Sequence, residues 1–179
     1  MSSDVLPWLE YRWAFDFPTG MFRAVLERVR GTPARLEEML RGVPEQLLTQ
    51  RPGGKWCAKE HVGHLWTVDA LWQTRIGEYL RGATELTAAD MTNRATGAGA
   101  YDSRPIAEIL AEFRVARART VAMLEPLSVA DAGRIARHPR LGRPMRVVDL
   151  CFFSAEHDDH HLALVRELAG GVQTGTPHP

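Results

Sequence analysis

Ala155-Glu156-His157-Asp158-Asp159-His160-His161-Leu162 sets two imidazoles, His157 and His161, one helical turn apart on an otherwise apolar stripe. From Leu150 onward the stripe reads Leu150, Phe153, His157, His161, Leu164 and Leu168, the three-and-four spacing that keeps side chains on one helix face. An amphipathic helix turns that face inward, so both rings point toward the core. Two inward imidazoles four residues apart can share one divalent cation, the usual way to satisfy both nitrogens away from water. Buried histidines can also simply hydrogen-bond to neighbours. The pair alone does not decide, and a third ligand has to come from elsewhere in the chain.

Working outward from this fourth helix, which starts at about Arg146, three more helical patterns stand between Pro- and Gly-marked breaks. The first runs from about Pro18 to Gly42, with Met21, Phe22, Val25, Leu26, Val29, Leu36, Met39 and Leu40 apolar, and is interrupted at Gly31-Thr32-Pro33, where one kinked helix is expected. The second follows Pro52-Gly53-Gly54 and spans about Ala58 to Leu80. Its inward stripe is His61, His64, Leu65, Val68, Leu71, Trp72, Ile76 and Tyr79, and Cys57 with Glu60 resembles a capping box with a thiol in place of the hydroxyl. The third runs from Pro105 to about Leu124. Residues 81–104 are too long for an ordinary bundle loop and are expected to form a lid or a wall of a site. The passage around Ala136–Pro144 reads as irregular, and period-two alternation is weak and confined to Trp13, Phe15 and Phe17. The expected architecture is all-α, an antiparallel four-helix bundle with one long crossover and a metal site between the second and fourth helices.

The chain has 179 residues, enough for one domain (1–179) that buries about 70% of its unfolded surface without staples. Residues 1–17 form an aromatic lead-in and 170–179, with His178, a flexible tail. Charges balance at 22 against 22 with no long like-charge run, which argues against a nucleic-acid partner. Cys57 and Cys151 lie in separate apolar segments, outside any Cys-x-x-Cys pair, and are expected to be small buried hydrophobes in a reducing cytoplasm. No secretory pattern opens the sequence and no eighteen apolar residues run together, so neither export nor a membrane span is expected.

His64 is the natural third ligand, on the inward stripe of the second helix; His61, one turn earlier on the same face, competes with it. Three histidines would leave coordination positions for water or substrate, as in catalytic rather than structural zinc sites. The segment Trp56 to Leu65, Trp-Cys-Ala-Lys-Glu-His-Val-Gly-His-Leu, followed about ninety residues later by His157-Asp158-Asp159-His160-His161-Leu162, resembles the DinB-like family of four-helix-bundle metalloproteins. Glu27–Arg35, Arg51–Lys55 and His138–Gly142 also resemble family segments, and Cys57 departs from its usual Ser or Thr. The resemblance implies His64, His157 and His161 as ligands, with His61 and His160 as neighbours. It also implies a metal-dependent hydrolase or, as the alternative, a transferase of small thiols. A metal-stabilised stress or interaction protein without catalysis is the reading from a different class.

The remaining polar residues have plainer readings. His160 and the pair Asp158-Asp159 are expected on a solvated arc, with Asp159 and Glu60 as the two candidate catalytic carboxylates, Glu60 more simply a cap. His138, before Pro139, is expected at the surface or hydrogen-bonded in a turn. Trp66, Trp72, Phe152 and Phe153 are expected in the core. By ligand type the metal is zinc or nickel and the substrate a small molecule. The aromatic surface of Trp8, Tyr11, Trp13, Phe15 and Phe17 is expected either to cover its own core or to make a homodimer.

Overall fold

A computed structural model describes residues 3–170. The four expected helices are present as α1 (Phe22–Leu40), α3 (Ala58–Leu80), α5 (Ile106–Leu124) and α7 (Val147–Ala169), with single-turn helices α2 (Glu45–Leu48), α4 (Arg94–Ala98) and α6 (Val129–Ala132) in the connections. Of the expected tail only Gly170 is described; the rest, with His178, lies outside the described residues.

Each long helix packs mainly on two others: α3 on α5 and α7, and α1 on α5 and α7. The directions follow from two apolar clusters at opposite ends. Phe22, Val25 and Leu26 of α1, Trp72, Ile76 and Tyr79 of α3, Val121 and Leu124 of α5, and Val147 to Phe153 of α7 meet at one end. Leu36 and Leu40, Val62 and Leu65, Ile109 and Phe113, and Leu162 and Val165 meet at the other. Helices α1 and α7 therefore run one way, α3 and α5 the other, and the α3–α7 and α1–α5 faces are antiparallel. Two neighbouring helices that run the same way need a connection as long as a helix. For the 23 residues of α3 that is about 35 Å, and residues 81–104 supply it.

Helix α1 is continuous through Pro33. Proline has no N–H to give the carbonyl four residues back, and that carbonyl, of Val29, accepts a hydrogen bond from Arg117 Nη1 at 2.9 Å instead. Arg117 is 1% exposed. It also donates to Asp69 of α3 (Nε to Oδ1, 3.1 Å) and to Asp158 of α7 (Nη2 to Oδ1, 3.1 Å), while Thr32 of α1 donates to Asp158 and Thr120 of α5 to Asp69, each at 2.6 Å. One polar cluster thus ties all four long helices together.

Two expectations need correction here. Asp158 and His160 are 0% and 8% exposed, because α7 is buried nearly all round from Val147 to Leu162 and not on one stripe. Residues Ile135–His138 and Arg143–Arg146 form a two-stranded antiparallel hairpin. Its arginine-rich strands lack the apolar alternation that signals a half-buried strand. Of the two expectations for the lead-in rings, covering their own core is the one seen in the fold. Trp8, Trp13, Phe15 and Phe17 pack on the bundle, alternate residues facing inward, and the carbonyls of Trp13, Phe15 and Phe17 accept from Arg143 and Arg146.

Candidate metal centre

The antiparallel meeting of α3 and α7 pairs their histidines in reverse order. His64 faces His157, with the two Nε2 atoms 3.3 Å apart, and His61 faces His161, with the two Nδ1 atoms 2.9 Å apart. One ring nitrogen each of His64, His157 and His161 lie within 4.8 Å of one another. All four residues are 6–9% exposed.

Burial sets their charge. His61 falls to about 3 and His64 to about 4, from desolvation first and then from neighbouring imidazoles. His157 and His161 lie well below the ordinary imidazole value for the same reasons. Neutral imidazole is the metal-ligating form. The His64–His157 pair fits a divalent cation in geometry as well: two imidazole nitrogens on one tetrahedral zinc, each at about 2.0–2.1 Å, stand about 3.3 Å apart.

The crossover supplies a partner the sequence did not mark. Thr96 of α4, 4% exposed, places its Oγ1 2.9 Å from His64 Nδ1, the kind of outer hydrogen bond that fixes a ligand's tautomer and ring orientation. Tyr101 anchors the same segment. Its ring lies flat over Gly63, where an added Cβ would come within 2.3 Å, and its hydroxyl is 2.7 Å from Thr67 Oγ1. Residues 81–104 are therefore a wall of the site. The neighbouring Ala100 has φ +45°, a conformation that is costly for a residue with a Cβ.

Aromatic rings enclose the cluster. Trp56 lies 4.9 Å from His64, Trp8 5.0 Å and Trp72 6.0 Å from His157 between ring centroids. Trp72 and Phe153 are core residues, as expected; Trp8 and Trp56 as walls of the site were not foreseen. His160 packs edge-on against Tyr11 and leaves its Nδ1 without a hydrogen-bond partner among the described residues.

Glu60 accepts the Cys57 amide at 2.9 Å and pairs with Arg51, so it caps α3. Asp159 is about one-third exposed and held by Arg28 and Arg35. Neither carboxylate bonds to the cluster. His138 is 2% exposed, so the surface reading fails, but its Nδ1 does accept the Leu141 amide in a turn. Cys57 and Cys151 are free and buried, and burial raises the Cys151 thiol to about 12.

Comparison with known proteins places these features in a lineage. YfiT from Bacillus subtilis, described as "a probable metal-dependent hydrolase with an unusual four-helix bundle topology", superposes with a TM-score of 0.75 at 18% identity, over 90% of this chain and 93% of that one. No match is found among curated proteins. The profile of the DinB superfamily matches residues 28–165, from the middle of α1 through both halves of the histidine cluster, and the chain belongs to that superfamily.

Proposed function

We propose that the protein is a metal-dependent hydrolase whose divalent cation, zinc or nickel by ligand type, is held by His64, His157 and His161. The observation that carries this is the 3.3 Å approach of His64 Nε2 to His157 Nε2, with His161 beside them. The description of YfiT as a probable metal-dependent hydrolase supports it. A cation on three imidazoles keeps open positions, polarises a bound carbonyl and makes water a competent nucleophile near neutral pH. The chain's own residues do the rest. Thr96 and His61 orient two of the ligand rings through their Nδ1 atoms, and Trp8 and Trp56 keep bulk water from the cluster. Glu60 and Asp159, the two candidate carboxylates, are each tied to arginine, so a proton-accepting role would require one of those pairs to open.

Elemental analysis of purified variants tests the ligand set. His64→Ala, His157→Ala and His161→Ala should each lose metal, whereas His61→Ala, His160→Ala and His138→Ala should keep it. Stoichiometric metal in His157→Ala would sink the triad. The metal-loaded protein should hydrolyse a member of a panel of esters and amides, faster as pH rises, and equal rates in His161→Ala would remove the enzymatic reading. Electrophile–thiol pairs in the same panel separate hydrolysis from metal-dependent thiol transfer. A small-molecule substrate, a cytoplasmic setting and a homodimer belong to the same reading; sedimentation at tens of micromolar tests the last, and a monomer alone would remove it. No helix among the described residues is long and apolar enough to cross a membrane.

A further inference from the structure

Two arginines are sealed in this bundle at 1% exposure, and the fold treats them differently. Arg117 has two carboxylates. Arg75 has none among the described residues: its Nε donates to the Thr87 carbonyl at 2.9 Å, its Nη1 lies 3.2 Å from His138 Nε2, and its guanidinium sits 5.5 Å above Trp72. The acids nearby are engaged elsewhere, Glu78 with the Thr87 amide and hydroxyl, Asp149 with Arg146 and Glu85 with Arg137. A buried cation without a counter-charge costs several kcal/mol.

The contact with His138 makes the shortage sharper. Burial and the charges of Arg75 and Arg140 lower His138 to about 4, so near neutral pH its ring has one lone pair and one N–H. Two donors face that one lone pair, the Leu141 amide at Nδ1 and Arg75 Nη1 at Nε2, each 3.2 Å away. One of them is left without an acceptor, in a place where unmet donors are expensive. Arg140, two residues along, holds its guanidinium 5.6 Å above Phe153 and forms no ion pair among the described residues. The His138 ring is 5.2 Å from Phe153 as well. Trp72 and Phe153, the rings on which the arginines lie, also meet His157 and Trp8, so this positive cluster shares a wall with the histidine centre.

We infer that Arg75, His138 and Arg140 form an oxyanion subsite beside the three-histidine centre, taking a carboxylate or phosphate. An oxyanion seated against both donors accepts from Arg75 Nη1 and from His138 with its Nε2 protonated and supplies the missing charge, with Arg140, stacked on the Phe153 ring that His138 also meets, beside them. That the anion belongs to a hydrolase substrate rests on the proposed function; that the subsite binds an anion does not.

Thermal unfolding of the metal-replete protein in inorganic phosphate, acetate or chloride at matched ionic strength tests it, with metal content assayed throughout. Phosphate or acetate at tens of millimolar should raise the wild-type Tm by several degrees over chloride. The rise should vanish in Arg75→Met and fall by at least half in Arg140→Gln, with metal content unchanged in both, which excludes the metal as the anion's partner. In chloride Arg75→Met should be at least as stable as wild type, since it removes an unpaired buried charge. Equal Tm in all three salts, a phosphate response that survives in Arg75→Met, or an Arg75→Met that fails to fold in chloride would overturn the proposal. An intact phosphate response in a protein that hydrolyses nothing would count against the hydrolase reading alone.

Discussion

His64 keeps its orientation because Thr96 Oγ1 stands 2.9 Å from its Nδ1. When Nε2 binds a cation, Nδ1 carries the hydrogen and Thr96 accepts it. Thr96→Val keeps the shape and deletes the acceptor, so metal affinity should fall about 10- to 100-fold. Calorimetric titration of the metal-free variant with zinc checks this, and an unchanged affinity would mean that His64 is oriented by packing alone. The three clustered histidines were legible because each puts a polar ring on an apolar stripe. The same signal was present at Arg117, four residues after Phe113 and four before Val121, but the sequence reading did not single it out. The competition between His61 and His64 is one that spacing cannot decide, because both lie on the inward stripe of α3. Thr96 had no signal at all: it sits in a turn of Gly, Ala and Thr, and only the tertiary path of the crossover brings it to the site.

Helices were read to within a few residues because Pro, Gly and the apolar spacing mark their ends. Ala58–Leu80 emerged with the expected limits. What periodicity cannot convey is the pairing of elements. Nothing local to α1 says that it lies beside α7 rather than α3, and nothing local to α7 says that Asp158 will face Arg117 and Thr32. Asp158 was misread for this reason: a charged residue beside a ligand looks solvated until a third helix is placed against it. The Arg117 cluster is what locks those pairings. Arg117→Met leaves two buried carboxylates facing each other and should cost about 3–5 kcal/mol in urea unfolding. Adding Asp69→Asn and Asp158→Asn should recover much of that loss. A single variant as stable as wild type would show that the cluster contributes nothing net.

Across the whole molecule, histidines and the Arg117 cluster make a polar layer between two apolar ends, and that layer ties stability to pH. An unfolded histidine takes its proton near pH 6.5, whereas folded His61 and His64 do so only at about 3 and 4, and His157 and His161 only well below the ordinary imidazole value. Their folded values are depressed, so over that interval the unfolded chain binds more protons. The stability they contribute is complete above about pH 6.5 and lost as pH falls toward 4. Asp69 opposes them. Burial raises it to about 6, so its contribution is present below about 4 and lost as pH rises through 6. Four imidazoles outweigh one carboxyl. The metal-free protein should therefore lose stability below about pH 6.5, by up to about 1.4 kcal/mol per pH unit for each histidine. Urea unfolding in chelator between about pH 5 and 8 measures this, and a level profile would contradict the burial of the cluster. The parallel run of α1 and α7 bears on time as well as on energy. These neighbours are separated by most of the sequence, so their contacts carry a heavy loop-closure cost. Helices α1, α3 and α5 can gather early, but the ligand pair and Asp158 arrive only with α7. Docking of α7 is therefore expected to come last, and until then the earlier helices hold an arginine and two histidines with too few partners.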